Sequence, residues 1–346
     1  MTLNVSYMGT KRQLANQVSA VIENQPGGPL LDLFSGMCAI GEAVGTTRNV
    51  WANDVQIFAS TVAEAFFRSD WPAPRSIEAS ELILKDFSKN YEKLVARFLY
   101  EFEEEKKVLS SNNFSKIGRL QTKIPNVRNS SDFEIERSKL SSHPRRFPYR
   151  LFTITFAGGY FGLAQCIAID SLRYAIDKAL DECRISSEVH RWFLLALCQA
   201  VSKVATTTGH FAQFLTVKKN NKGSYIGQRK REIWKEWLRA IDDIGPIGSY
   251  RWRKGNKSFC NDALDLLIQL KKKKEKPSVI YADPPYTGDQ YSRYYHLYET
   301  LILYDYPSVD SKGLYRSGRY SSSFSKKTTV KEAFEKLIKG AVPDNP

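Results

Sequence analysis

The run Val279-Ile280-Tyr281-Ala282-Asp283-Pro284-Pro285-Tyr286 constrains the fold more than any other stretch of this 346-residue chain. An apolar segment of strand length runs directly into two prolines, which fix φ and remove backbone donors, so the chain turns there. One carboxylate and one aromatic ring are thereby set at the carboxyl end of a strand, the edge where ligands of open α/β sheets bind. The residue types suit an exocyclic aromatic amine. Such an amine is a weak nucleophile, because its lone pair is delocalised into the ring. Two acceptors taking its N–H bonds favour a tetrahedral nitrogen and absorb the positive charge that grows during attack on a methyl group. The Asp283 carboxylate and the Pro284 carbonyl are the expected pair, and Pro285 holds that carbonyl in place. Tyr286 offers a face on which a base can stack.

The remainder of the chain supplies the sheet that such a turn requires. The first seventy residues alternate: a helix over 10–24, a strand over 29–34, a helix over 38–45, a strand over 49–53 and a helix over 56–68. This βαβ rhythm implies a parallel sheet. It stops at Trp71-Pro72-Ala73-Pro74 and resumes with a strand over 257–260, a helix over 263–270 and the strand over 278–282. The expected core is therefore discontinuous, 1–75 and 250–346, with residues 76–249 inserted between. Within the insertion, helical patterning is clear over 163–180 and 188–204, whereas the Ser/Asn-rich span 110–142 reads as loop or irregular structure.

Three further motifs accompany the proline turn. In Leu31-Asp32-Leu33-Phe34-Ser35-Gly36-Met37-Cys38-Ala39-Ile40-Gly41 an apolar strand enters a glycine turn and then a helix, which lets a ligand approach the backbone. Asp54, at the end of the next strand, stands where an acid can hold ribose hydroxyls. The spacing of Gly36 and Gly41 mimics a phosphate loop, but Glu42 occupies the position of its lysine, so that reading is rejected. Lys11, within Tyr7 to Leu14, can pair with a ligand carboxylate. Asp262 ends the strand before the catalytic one, and either accepts from an adenine amine or caps the following helix.

Hydrophobic residues make up 42% of the chain, enough for a packed core, and no apolar run reaches the length of a membrane span. The start lacks a signal-peptide pattern, so a cytoplasmic protein is expected. Five scattered cysteines and four histidines show no zinc spacing, and no metal is expected. The net charge of +14 suits a polyanionic partner. Basic residues concentrate between Lys218 and Arg239, where Lys218, Lys219, Lys222, Arg229 and Arg231 are the candidate DNA contacts.

Together these motifs resemble the Dam-like class of site-specific DNA adenine methyltransferases, in which cofactor motifs come first and the catalytic tetrapeptide late. Tyr160 to Gln165, Asp170 to Tyr174 and Thr208 to Gln213 also look like blocks of larger members. The resemblance implies a Rossmann-like core with a large, mainly helical insertion, S-adenosyl-L-methionine (AdoMet) as methyl donor, double-stranded DNA as partner and flipping of the target adenine. Carried over, Tyr7, Lys11, Asp32, Phe34, Ser35, Gly36, Asp54 and Asp262 would hold AdoMet, and Asp283, Pro284, Pro285 and Tyr286 the flipped base. A bacterial or phage modification enzyme with a cognate restriction endonuclease is the implied setting.

Two departures stand out. Cys38 occupies a position where the family's loop often has a second glycine. The last strands of such a core also have no counterpart before Pro346, which makes a second chain supplying them, or an inactive form, the alternative. Among other chemistries, a cytosine-C5 enzyme needs a nucleophilic cysteine after proline, and none of the five cysteines follows one. A cytosine-N4 enzyme shares the amine chemistry but more often carries Ser in place of Asp283.

Overall fold

The computed structural model describes residues 3–5, 11–111, 113–124, 126–285 and 292–341. The chain opens with α1 (Ala15–Glu23), β1 (Leu30–Asp32), α2 (Ala39–Val44), β2 (Val50–Asn53) and α3 (Ile57–Arg68). A helical series follows: α4 (Ser76–Arg97), α5 (Leu99–Ser111), α6 (Phe114–Lys123), α7 (Ser131–Ser141) and α8 (Leu151–Phe156). It continues with α9 (Leu163–Asp181), α10 (Ser187–Val204), α11 (Lys222–Lys230), α12 (Ile233–Asp243) and α13 (Tyr250–Lys254). Alternation then returns with β3 (Lys257–Phe259), α14 (Ala263–Lys272), β4 (Val279–Tyr281) and α15 (Ser292–Leu303). The two-residue strands β5 (Val309–Asp310) and β6 (Tyr315–Arg316) pair antiparallel apart from the main sheet, and α16 (Val330–Ala341) comes last.

The main sheet is parallel, in the order β3-β2-β1-β4. Leu30 stands between Val50 and Val279, and Asp32 between Ala52 and Tyr281. Successive β1 residues point to opposite faces, and each face has its own helices. Leu30 packs with Ile22 of α1 and Ile40 and Val44 of α2. Leu31 packs with Leu266 and Leu267 of α14 and Leu337 of α16. Because both faces are covered, β1 reads as a continuous apolar run instead of an alternating one. From β1 the chain steps outward to β2 and β3, then returns to place β4 on the other side of β1. Strand order thus reverses between β1 and β4, the point where an open α/β sheet leaves a crevice at its carboxyl edge.

The inserted helices share a core with the sheet. Val50 and Ala52 belong to the same apolar cluster as Phe58 and Phe66 of α3, Trp192 of α10 and Tyr298 of α15. Helix α9 is buried almost all round, with α4, α8, α10 and α12 packed against it. The block Asp170 to Tyr174 lies on it and serves packing: Asp170 accepts from Phe152 N (2.9 Å), Thr153 N (2.8 Å) and Tyr304 Oη (2.6 Å), while Arg173 pairs with Asp177.

One expectation is corrected. The span 110–142 holds the end of α5, α6 and α7. Two capping side chains start these helices, Asn113 Oδ1 accepting from Lys116 N (3.1 Å) and Ser130 Oγ from Asp132 N (3.2 Å). Helix α6 is held by a single apolar stripe, Ile117 and Leu120, against Val108, Val217, Tyr225 and Ile226. So short a stripe carries little periodicity of its own, and partners distant in sequence stabilise it.

Candidate active site

The carboxyl ends of β1, β2 and β4 open into a cleft with an empty volume of about 1020 Å³, a figure that includes solvent at its mouth. Its floor is the turn after β1. Leu33 N donates to Tyr281 O (3.0 Å) and Ser35 N to Asn53 O (2.8 Å), so this turn is stitched to both neighbouring strands. Gly36 takes φ +49°, and Cys38, the residue before α2, takes φ +61°. The left-handed backbone at Cys38 accounts for the glycine preference noted for that position. Gly41 sets how closely α2 approaches: a Cβ there would come within 2.7 Å of the Phe67 ring.

Three acids converge on the cleft. Asp32 is 1% exposed, and its Oδ1 has no hydrogen-bond partner among the described residues. Burial pushes its pKa up to about 7, against a hydrogen bond from the Phe34 backbone, with the charges of Asp54 and Asp283 adding to the rise. Asp54 accepts from Gly36 N (3.0 Å) and Gln56 N (2.9 Å), tying the glycine turn to the start of α3. Burial raises it to about 6. Asp283, two residues beyond β4, lies with its Oδ2 2.8 Å from Lys11 Nζ. Lys11, expected against a ligand carboxylate, thus reaches the acid of the proline turn.

Phe34, Ser35, Gly36, Pro284 and Pro285 all line the cleft with these acids. Asp262 does not, although Asn261 and Ala263 on either side do. Its Oδ1 caps α14 by accepting from Leu264 N (2.9 Å), and its Oδ2 accepts from Tyr320 Oη (2.6 Å). Tyr7 and Tyr286 fall outside the described residues.

Sequence reasoning missed Tyr320, which lines the cleft together with Ser322 and Ser325. The neighbouring Phe324 packs edge-on against Phe34, with ring centroids 5.5 Å apart. No local pattern marks this segment, because its contacts join it to residues far away in sequence. Glu299 was missed for the same reason. From α15 it accepts from Ile57 N (2.9 Å) and Phe58 N (2.8 Å), capping α3 and anchoring the helix that follows the proline turn.

The candidate DNA residues separate into two groups. Lys218, Lys219 and Arg231 are exposed and Lys222 is half-buried at the start of α11. Arg229 is corrected: it is 5% exposed, its Nη2 donates to Gly159 O (2.6 Å), and its guanidinium lies 4.9 Å from the centroid of the Tyr225 ring. A side chain on the inner face of α11 braces the Gly158-Gly159 turn and presents little to solvent. Among the described residues no group of His, Cys, Asp and Glu could hold a metal ion, and no helix is long and apolar enough to cross a membrane.

A parallel sheet with an acidic crevice at its strand reversal, closed on one side by Asp-Pro-Pro, defines a Rossmann-like methyltransferase. The chain belongs to the D12 class N6 adenine-specific DNA methyltransferase family, which it matches over residues 7–343. Such membership implies AdoMet as methyl donor in general terms. The chain is similar to the type II methyltransferase M.FokI of Planomicrobium okeanokoites, with 26% identity over 97% of this chain and 42% of that protein. It is also similar to the modification methylase LlaI of Lactococcus lactis subsp. lactis, at 23% identity over 96% of this chain and 44% of that protein. For the type II methyltransferase M.NlaIII of Neisseria lactamica, identity is 23% over 97% of this chain and 80% of that protein. The chain thus spans less than half the length of the first two relatives. No solved structure gives a significant match.

Proposed function

We propose that this chain transfers a methyl group from AdoMet to the exocyclic N6 amine of adenine at a specific site in double-stranded DNA, as the modification arm of a restriction-modification system. The observation that carries this reading is the meeting of the Asp283-Pro284-Pro285 turn with the acid-lined β1 crevice in one cleft.

The residues present fit the cofactor. AdoMet bears a sulfonium, an ammonium, ribose hydroxyls and an adenine amine, all of which suit acceptors. The cleft offers the Asp54 carboxylate and two buried oxygens without a partner among the described residues, Asp32 Oδ1 and Gln56 Oε1. Asp32, Phe34, Ser35, Gly36 and Asp54 would hold it, with Tyr320 beside them and Asp262 acting through Tyr320. When bound, it supplies an electrophilic methyl group.

The chain's own contribution is electrostatic. A flipped adenine amine donates to Asp283 and to the Pro284 carbonyl, which raises electron density on N6 as charge develops. Asp283, fixed by Lys11, accepts without reorientation. Tyr286 is the expected stacking surface. Lys218, Lys219, Lys222 and Arg231 contact DNA phosphates. The work belongs in the bacterial cytoplasm, beside a cognate endonuclease. A second reading rests on β4, whose outer edge has no partner strand among the described residues: a further segment, on this or a second chain, pairs there to complete the core.

The test is to incubate the purified chain with tritiated AdoMet and unmethylated plasmid DNA, then digest the DNA to nucleosides. Label in methyladenosine, absent with Asp283→Ala, supports the proposal. Label in methylcytosine moves the substrate to cytosine N4. AdoMet binding without any label favours the incomplete-core reading.

A further inference from the structure

We propose that the exposed face of α6 is a second phosphate-gripping surface for double-stranded DNA, continuous with the lysines at 218–222; this rests on the DNA reading above. Helix α6 has the sequence Phe-Ser-Lys-Ile-Gly-Arg-Leu-Gln-Thr-Lys and contains no acidic residue. Lys116, Arg119 and Lys123 are all exposed, and their i, i+3, i+7 spacing puts them in one stripe. The opposite stripe, Ile117 and Leu120, faces the protein.

None of these three cations forms an ion pair with a described residue. Some exposed cations on other helices are neutralised within a turn: Lys235 pairs with Glu232 (2.6 Å), Arg239 with Glu236 (2.7 Å) and Arg68 with Glu64 (2.9 Å). A row of unneutralised charge costs stability through self-repulsion, and a polyanion that enters the row relieves it. Along the helix axis the stripe spans about 10 Å, equal to roughly three nucleotide steps on one DNA strand.

The fold joins this row to the residues already considered. Val217, Tyr225 and Ile226 pack in the same small cluster as Ile117. Gln121 Nε2 donates to Tyr225 Oη (2.7 Å) and Leu215 O (3.4 Å). The loop that ends at Val217 also touches the catalytic side, because Phe211 N donates to Tyr294 O (3.1 Å) in α15, whose first residue Ser292 lines the cleft. A single loop thus links the basic row to the helix beside the active site.

The test compares wild type, the triple variant Lys116→Gln/Arg119→Gln/Lys123→Gln, and a control, Lys272→Gln/Lys273→Gln/Lys276→Gln, which removes equal charge from another exposed run. Binding to a random-sequence duplex is followed against salt. The α6 variant should show a log–log salt slope shallower by about 0.9 for each phosphate no longer neutralised, up to ~2.7 for three, with AdoMet affinity and thermal melting unchanged. The control should keep the wild-type slope. Lys116→Arg/Lys123→Arg, which keeps charge, should also keep it. A wild-type slope in the α6 variant, or an equal change in the control, overturns the assignment while leaving the methyltransferase reading intact. Failure of wild type to bind any duplex overturns both.

Discussion

Lys11 Nζ lies 2.8 Å from Asp283 Oδ2, which joins the segment leading into α1 to the turn that ends β4. The pair is about a quarter exposed, at 21% and 29%, so its worth to stability is small, ~1 kcal/mol or less. Its consequence is for chemistry, because a fixed carboxylate needs no reorganisation when the amine arrives.

Lys11→Gln should therefore leave thermal melting within about a degree or two of wild type and lower single-turnover methylation on the order of 100-fold, the scale of a small misplacement of a reacting group. A rate equal to that of wild type would show that Asp283 is positioned without Lys11.

Asp32 gives a pH prediction. Its pKa, about 7 when folded against an ordinary 3.8, means that the folded state holds a proton the unfolded state has lost. Between about pH 4 and 7 its contribution to stability falls as pH rises, by up to about 1.4 kcal/mol per pH unit. Half-buried His190 and buried His296, both drawn down to about 3, act in the opposite sense below about pH 6.5. The quantity to read is thus the difference between wild type and Asp32→Asn. Chemical denaturation across this range should show the variant gaining on wild type as pH rises, and a constant difference would refute the assignment.

The two kinds of cation near α11 should behave differently. Arg229→Ala removes a buried charge-assisted hydrogen bond to Gly159 and should cost about 2–4 kcal/mol in denaturant unfolding. Lys219→Ala, on the surface, should leave unfolding unchanged and weaken DNA binding with a shallower salt slope. The reverse pattern would place Arg229 at the DNA.

Gly41→Ala tests the approach of α2 to α3. The added methyl meets the Phe67 ring at 2.7 Å and Val50 Cγ1 at 3.1 Å. Overpacking of this kind costs about 1–3 kcal/mol, and the displaced turn should also weaken AdoMet binding in calorimetry. An unchanged midpoint would mean that Phe67 yields freely.

The sequence by itself determined the four strands of the main sheet, their parallel arrangement and the two turns that carry Asp32 and Asp283. The two turns are local patterns, an apolar stretch that runs into glycine or proline, and the alternation of strand- and helix-length segments around them favours a parallel sheet. It also held both pieces of the sheet across the long insertion. Only the tertiary structure decided which groups meet. Lys11 with Asp283, Tyr320 with Asp262, Glu299 with the start of α3 and the inward turn of Arg229 all depend on partners far away in sequence. Helix α6 belongs with them: its short stripe becomes a helix face only when α5 and α11 close over it, and that closure exposes its basic row. Such contacts form through packing across the whole chain, and no local periodicity encodes them.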